Sequence, residues 1–275
     1  MKDGWHAGLD LGYRRRGNDT VLARREHVGP LRVQKPFYPE GGRVCHALLL
    51  HPPAGIAGGD MLEISAALGE GAHALMTTPG AGKCYRSAGP EASLNCRFDV
   101  EKGAVLEWLP QETIVYDGAN AKIVTDVSLA EDAAFIGWEV LCLGRRASGE
   151  RFDSGRLAIS SRITRCGRPI RLERGFIEGG SALLDSAAGF AGFSLSGTLL
   201  ASGKGMSPSL LAACREIRPE EADALHGLTM LPDLIVGRYL GHSAETARAW
   251  FVELWRLLRP AMTGRDVHMP RIWNT

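Results

Sequence analysis

The residues that could do chemistry are a glycine-rich string with a lysine, TTPGAGKCYRS at 77–87, and six isolated carboxylates: Asp60 in GIAGGDML, Glu107 in LEWLP, Glu112 in LPQETI, Glu139 in FIGWEVLCLG, Glu150 in ASGERF and Glu173 in PIRLERGF. The string invites a nucleotide-phosphate reading, but a phosphate loop needs G-x-x-x-x-G-K-[ST] so that backbone N–H groups surround the anion and a hydroxyl reaches magnesium. Thr77 stands where the first glycine is required and Cys84 where the hydroxyl is required. The Ala88-Gly89-Pro90 turn leaves no room for the helix that should follow Lys83. The string is therefore expected to form a Pro-Gly turn between strands and to bind neither GTP nor ATP. Lys83 and Tyr85, two apart on a strand, would share a face, and with Asp60 they would make an acid–base site. An unpaired buried carboxylate is costly, so the first expectation for an acid such as Glu139 is an outward, solvated side chain. Acids from several strands that faced one wet interior would instead suit a divalent cation.

The rest of the composition narrows the field. Eight histidines include no HxxxH or HxH pair, and the six cysteines (Cys45, Cys84, Cys96, Cys142, Cys166, Cys214) form no CxxC, so zinc-ribbon, thioredoxin-type and metalloprotease motifs are absent. The net charge of +1, with short basic clusters at Arg14 to Arg16 and Arg145-Arg146, gives no nucleic-acid footprint. Residues 1–10 are mixed and polar, unlike a secretory leader, which leads us to expect reduced thiols and a cytoplasmic location. The uncharged stretch 186–203, SAAGFAGFSLSGTLLASG, is broken by glycine and serine and reads as a buried strand and loop, with no membrane span expected.

These residues must be positioned mostly by strands. Segments 44–51, 73–78, 92–100, 105–109, 121–129, 134–141, 155–165 and 169–176 are short, rich in β-branched and aromatic residues, and bounded by Gly, Pro and Asp turns. In 94–100 the even positions are apolar and the odd ones polar, one face for a core and one for water. The last third turns helical: Ser207 and Pro208 cap a helix over about 208–217, and a second runs from after Ser243 to about Arg259, where Pro260 should stop it. Its stripe of Trp250, Phe251, Leu254, Trp255 and Leu258 is either core or, if exposed, a partner-binding face. The chain, 1–275, is expected to be one mainly β domain with a small helical portion near the C-terminus.

Seven blocks carry a resemblance: AGLDLGY at 7–13, PFYPEG at 36–41, LLHPPAGIAGGDML at 49–62, TTPGAGKCYRS at 77–87, LEWLPQETIVYDGA at 106–119, WEVLCLGRRASGERF at 138–152, and the tail LRP…TG…MPRIWNT at 258–275. In this order they resemble the urease accessory protein UreD (UreH) family over nearly the whole chain. Ala54 stands where the family usually has a second glycine, and Gly82 where a small polar or β-branched residue is common. The resemblance implies an elongated, helical-sheet (β-helix-like) body and no enzymatic activity. It implies a metallochaperone that assembles with UreF, with the GTPase UreG and with apo-urease subunits, and that conducts nickel toward the urease active site. By motif, the family's nickel path falls on Asp60, Glu139 and Glu173, which would touch Ni²⁺ only in transit, with no permanently bound cofactor. Lys83, Tyr85, Arg86, Ser87, Glu112, Arg145 and Glu150 are further motif positions. Two alternatives stand beside this reading: an adaptor that never meets nickel, and the Lys83/Tyr85 acid–base enzyme. A stripe exposed on the C-terminal helix, with the uncharged 186–203 stretch, would make the chain insoluble without UreF.

Overall fold

The computed structural model describes residues 4–274; residues 1–3, part of the polar N-terminal stretch, and Thr275, the end of MPRIWNT, lie outside it. Among the described residues seventeen strands and three α-helices follow one another. The strands of the N-terminal half are β1 (His6–Arg16), β2 (Asp19–Val28), β3 (Arg32–Val33), β4 (Cys45–Leu50), β5 (Met61–Leu68), β6 (His73–Thr77), β7 (Gly82–Cys84), β8 (Ala92–Val100), β9 (Val105–Trp108), β10 (Thr113–Val115) and β11 (Asn120–Leu129). There follow β12 (Ala134–Leu143), β13 (Arg156–Arg165), β14 (Arg168–Glu178), α1 (Ala182–Asp185), β15 (Leu195–Ser202), α2 (Pro208–Glu216), β16 (Leu225–Leu231), β17 (Leu234–Gly241) and α3 (Ala244–Thr263). A 3₁₀ turn over Arg271–Asn274 ends the described chain.

From β4 to β13 the chain alternates between two sheets, laying each new strand parallel to the previous one in the same sheet. One sheet runs β14-β13-β11-β8-β5-β1-β2 and the other β16-β17-β15-β12-β9-β6-β4-β3, with β10 and β7 attached beside β12. Repeated coils of this kind make the β-solenoid-like body expected for the family. Antiparallel hairpins β1/β2 and β13/β14 close the edges of the first sheet. The alternation at 94–100 is realised in β8, where Cys96, Phe98 and Val100 point into the layer between the sheets. Strands β1, β2 and β5 are additional to the strands expected from sequence. In β1 the inward row Ala7, Leu9, Leu11 and Tyr13 is interleaved with Gly8, Asp10 and Gly12, which dilute the β-branched signal.

The interior has two layers. One lies between the sheets; the other lies on the far face of the second sheet, under α2, α3 and the C-terminal tail. Helix α3 starts on Ser243, whose Oγ accepts from Thr246 N, and runs through Pro260 to Thr263, one turn beyond the stop expected at the proline. Proline in the last turn forfeits one backbone bond. The turn is nevertheless closed by Thr263 Oγ1 donating to Arg259 O and by Gly264 in the left-handed conformation, φ 68°, donating to Pro260 O. The stripe Trp250, Phe251, Leu254, Trp255, Leu258 is fully buried against β12 and β15, so it is core and no partner face. Gly197 lets the helix approach: a Cβ there would meet the Phe251 ring at 2.9 Å. With the stripe covered, the helix half of the reason for expecting insolubility of the lone chain is removed, while residues 186–194 of the uncharged stretch stay exposed or half-buried. The 186–203 stretch forms turns followed by β15, and among the described residues no helix is long and apolar enough to cross a membrane.

Candidate functional site

Strand β12 is central in its sheet, and its two faces do different work. Ile136, Trp138 and Val140 pack on the helical side, whereas Phe135, Gly137, Glu139 and Leu141 face the first sheet. Glu139 therefore points inward, correcting the outward, solvated expectation. Alternation along one strand fixes only that Glu139 lies opposite Trp138; it leaves open which face meets water, and here both faces are covered. Among the described residues the carboxylate has no hydrogen-bond partner. What accessible surface it has is the wall of a cavity of about 150 Å³ between the sheets, large enough for several water molecules. Burial pushes its pKa up, Arg171 and Arg238 pull it down, Glu173 pushes it up again, and the balance is about 7.

Strand register explains how such a cavity is polar along one line. In the first sheet Cys96, Thr125, Ser161 and Glu173 are successive partners across β8, β11, β13 and β14. In the second, Glu139, Thr198 and Arg238 are successive partners across β12, β15 and β17. All but Arg238 line the cavity, among walls otherwise built of residues such as Ile64, Leu94, Phe135 and Leu200. Because side chains alternate with period two, one row of register partners across paired strands, parallel or antiparallel, places all its side chains on one face. Sequence reading missed Cys96, Thr125, Ser161, Thr198 and Arg238 as site residues, since their only shared signal is register, which no local pattern discloses, and it missed Arg171, which shares a strand face with Glu173 two residues on.

A second cavity of about 280 Å³ abuts the first, sharing Ile64, Thr78, Gly82, Leu94, Thr113 and Ile123 as wall. Its far end carries His51, Ala54 and Lys83. Burial lowers the His51 pKa, against the opposing charge of Asp60. Asp60 itself lines neither cavity. Its Oδ1 accepts from Trp5 N at 2.9 Å and its Oδ2 from Ala57 N at 2.8 Å, which ties the start of β1 to the 57–60 turn. The structure thus brings Glu139 and Glu173 together and sets Asp60 apart, beside His51.

The GAGK string forms a bend followed by β7, with no helix after Lys83. Among the described residues no hydrogen bond joins Lys83, Tyr85 and Asp60, and Tyr85 instead packs edge-on against Tyr116, 5.2 Å between centroids. Three of the sequence blocks meet there. Arg145 lies over the Tyr116 ring at 4.5 Å and pairs with Glu150 at 2.5 Å, while Arg86 pairs with Asp117 at 2.8 Å. Asp117 also accepts from Ser154 N and Oγ, so this patch knits loops together, and Tyr116 and Asp117 are its unforeseen centre. Ser87 Oγ donates to Pro90 O in its own turn, and Glu112 faces Arg248 on α3 at 3.4 Å. Among the described residues no three His, Cys, Asp or Glu side chains converge as a preformed metal site.

Comparison with known proteins accounts for the recurrence of these blocks. The family model of the UreD urease accessory protein matches residues 6–274. Urease accessory protein UreD of Dechloromonas aromatica (strain RCB) is 56% identical, over 98% of this chain and 95% of the relative. That of Azoarcus sp. (strain BH72) is 55% identical over 99% and 95%, and that of Nitrosococcus oceani 51% over 98% and 90%. A match of this length and identity, on a solenoid-like body with a polar row enclosed between its sheets, places the chain in the UreD family of urease accessory proteins.

Proposed function

We propose that the protein matures urease by conducting nickel, without turnover of its own, in a cytoplasmic assembly with UreF, UreG and the apo-urease subunits. The observation that carries this reading is Glu139, a carboxylate without a hydrogen-bond partner among the described residues, on the wall of a water-sized cavity that abuts a second one. A conduit must attract a divalent ion without holding it. Single carboxylates with water between them do this, whereas convergent histidine and thiolate ligands would bind nickel too tightly to release. The ion runs from the His51 end, where Asp60 adds negative charge, past Thr78 and Thr113 to Glu139 and on to Glu173. Contacts with Ni²⁺ are transient throughout.

The test is nickel content and urease activity after apo-urease is loaded by the assembled complex, beside a pull-down of the assembly. Glu139→Ala is expected to leave assembly intact and to lower nickel delivery, because it removes a carboxylate that can take the ion and strands no hydrogen-bond partner. Glu139→Leu is expected to be worse, since a bulky apolar side chain also narrows and dries the cavity. Full activation by a Glu139→Ala/Glu173→Ala double variant would leave the adaptor reading in its place.

A further inference from the structure

The two polar rows converge on an ion bridge at the rim of the cavity. Arg238 Nη1 donates to Glu173 Oε1 at 3.0 Å and to Thr198 Oγ1 at 2.8 Å, and its Nη2 contacts Glu173 Oε2. Arg171 also donates to Glu173 Oε2, and its Nη1 to Ser161 Oγ at 2.6 Å. Both oxygens of Glu173 are thus occupied by guanidinium donors. The bridge joins β14, the edge of one sheet, to β17 of the other, and so spans the seam between them.

With guanidinium donors on both of its oxygens, Glu173 has no oxygen turned free toward a cation. For Glu173 to meet an ion, a guanidinium must leave. Arg171 is anchored inward on Ser161 with a side chain only 8% exposed, whereas that of Arg238 is 48% exposed and reaches the rim from solvent. Only Arg238 has somewhere to go. We infer that Arg238 is a latch, closing the passage in the free chain by its bridge to Glu173 and opening it by swinging outward. The inference rests on the nickel-path reading and adds its regulation. The open state is stabilised when an acidic group on a docked surface takes the guanidinium, because a swing needs a partner that favours one position over the other.

Cys96 is a built-in reporter, being on the cavity wall, while Cys214 is fully buried in the helical layer. The full-length chain is treated with cationic aminoethyl methanethiosulfonate and, separately, with neutral methyl methanethiosulfonate, and labelling of each cysteine is followed by peptide mass spectrometry. The ratio of cationic to neutral rates at Cys96 cancels the reactivity of the thiol itself. In Arg238→Gln that ratio is expected to rise about fivefold or more, and in Thr198→Val, which removes one anchor of Arg238, by a smaller factor in the same direction. A ratio within twofold of native in Arg238→Gln, with Cys96 still outreacting Cys214, overturns the latch and leaves the passage standing. If Cys96 reacts no faster than Cys214 with either reagent in every variant, there is no passage to latch and both readings fall.

Discussion

Glu107 and Glu139 sit on neighbouring strands of one sheet, β9 and β12, where Glu107 is the register partner of Ile136. They point to opposite faces. Glu107, with no accessible surface, lies 2.7 Å from His73 Nε2 and accepts from Trp255 Nε1 at 2.7 Å and from Arg259 Nε at 3.0 Å. Arg259, also fully buried, reaches on to Glu40 at 2.8 and 2.9 Å, and Glu40 lies 2.7 Å from His46. Among the described residues Glu139 has no hydrogen-bond partner, only the more distant charges of Arg171, Glu173 and Arg238. The cost of burying a carboxylate is met in one case by partners and in the other by giving up the charge. Burial would raise the pKa of Glu107, yet the contacts from His73, Arg259 and Trp255 win and lower it, while Glu139 drifts up to about 7. A completely partnered acid holds structure. An unpartnered one on a cavity wall keeps its oxygens for something else.

The largest expected effect breaks the partnered side. Glu107→Ala leaves Arg259 buried beside a void with one of its two carboxylates gone, and loss of one member of such a pair costs about 3–5 kcal/mol. Urea denaturation of the purified chain should show this as a fall in midpoint, or the variant should fail to fold. Glu139→Ala should cost no more than about 1 kcal/mol in the same measurement, because no partner is stranded. Equal losses for the two would erase the distinction between them.

Next in size is a pH effect of opposite sign at the two sites. Folded, Glu139 keeps its proton up to about pH 7, whereas unfolded it releases it near the ordinary value of 4.5. Raising the pH through that window therefore favours the unfolded chain, and stability falls from about 4.5 to 7 and levels off above. Glu40 behaves inversely. Burial raises its pKa, but hydrogen bonds from His46 and Arg259 prevail and hold it at about 2, so its contribution is present above 4.5 and is lost as the pH falls toward 2. Glu139→Gln should remove the first dependence alone. Compared at pH 5 and pH 8, the native chain should lose on the order of 2 kcal/mol more than the Gln variant, since each pKa unit is worth about 1.4 kcal/mol and cavity water reduces the full value. Parallel pH profiles for the two would mean that Glu139 is ionised in the folded chain.

A third, smaller effect tests how far the partnered cluster depends on each member. His73→Phe keeps an aromatic ring but removes the contact to Glu107 Oε1, leaving Trp255 and Arg259 in place. A loss of about 1–2 kcal/mol is expected by thermal unfolding, the usual cost of taking one donor from a buried charged group. A loss as large as that of Glu107→Ala would put the weight of the cluster on the histidine.

Nothing local in the sequence separates Glu107 from Glu139. Each stands beside a tryptophan in an apolar strand, Glu107-Trp108 and Trp138-Glu139. The partners of Glu107 come from 34 residues upstream and from 148 and 152 downstream, and those distances close only when α3 packs on the sheet. The strands of β8, β11 and β13 were legible because period two and flanking turns are local properties. The N-cap of α3 was legible for the same reason. The row from Cys96 to Glu173 was not, because it is written across four strands, one residue in each.

The smallest effect concerns the outer cavity and its backbone. Ala54 lines the outer cavity with φ 61°, in the left-handed region, where an L side chain with a Cβ costs about 1–2 kcal/mol and glycine is free. The amide of Ala54 donates to His51 O at 2.7 Å, so the strained conformation is held by the turn that also places His51 at the mouth of the cavity. Ala54→Gly should relieve the strain, offset in part by the greater freedom of glycine in the unfolded chain. A net gain of about 0.5–1 kcal/mol in urea denaturation is expected, with nickel delivery unchanged. The same gain should appear in the Glu139→Gln background, since among the described residues Ala54 has no hydrogen bond to Glu139. A stability loss in Ala54→Gly would mean that the methyl group packs the cavity mouth by more than its backbone strain, and would shift attention from the turn to the apolar wall around it.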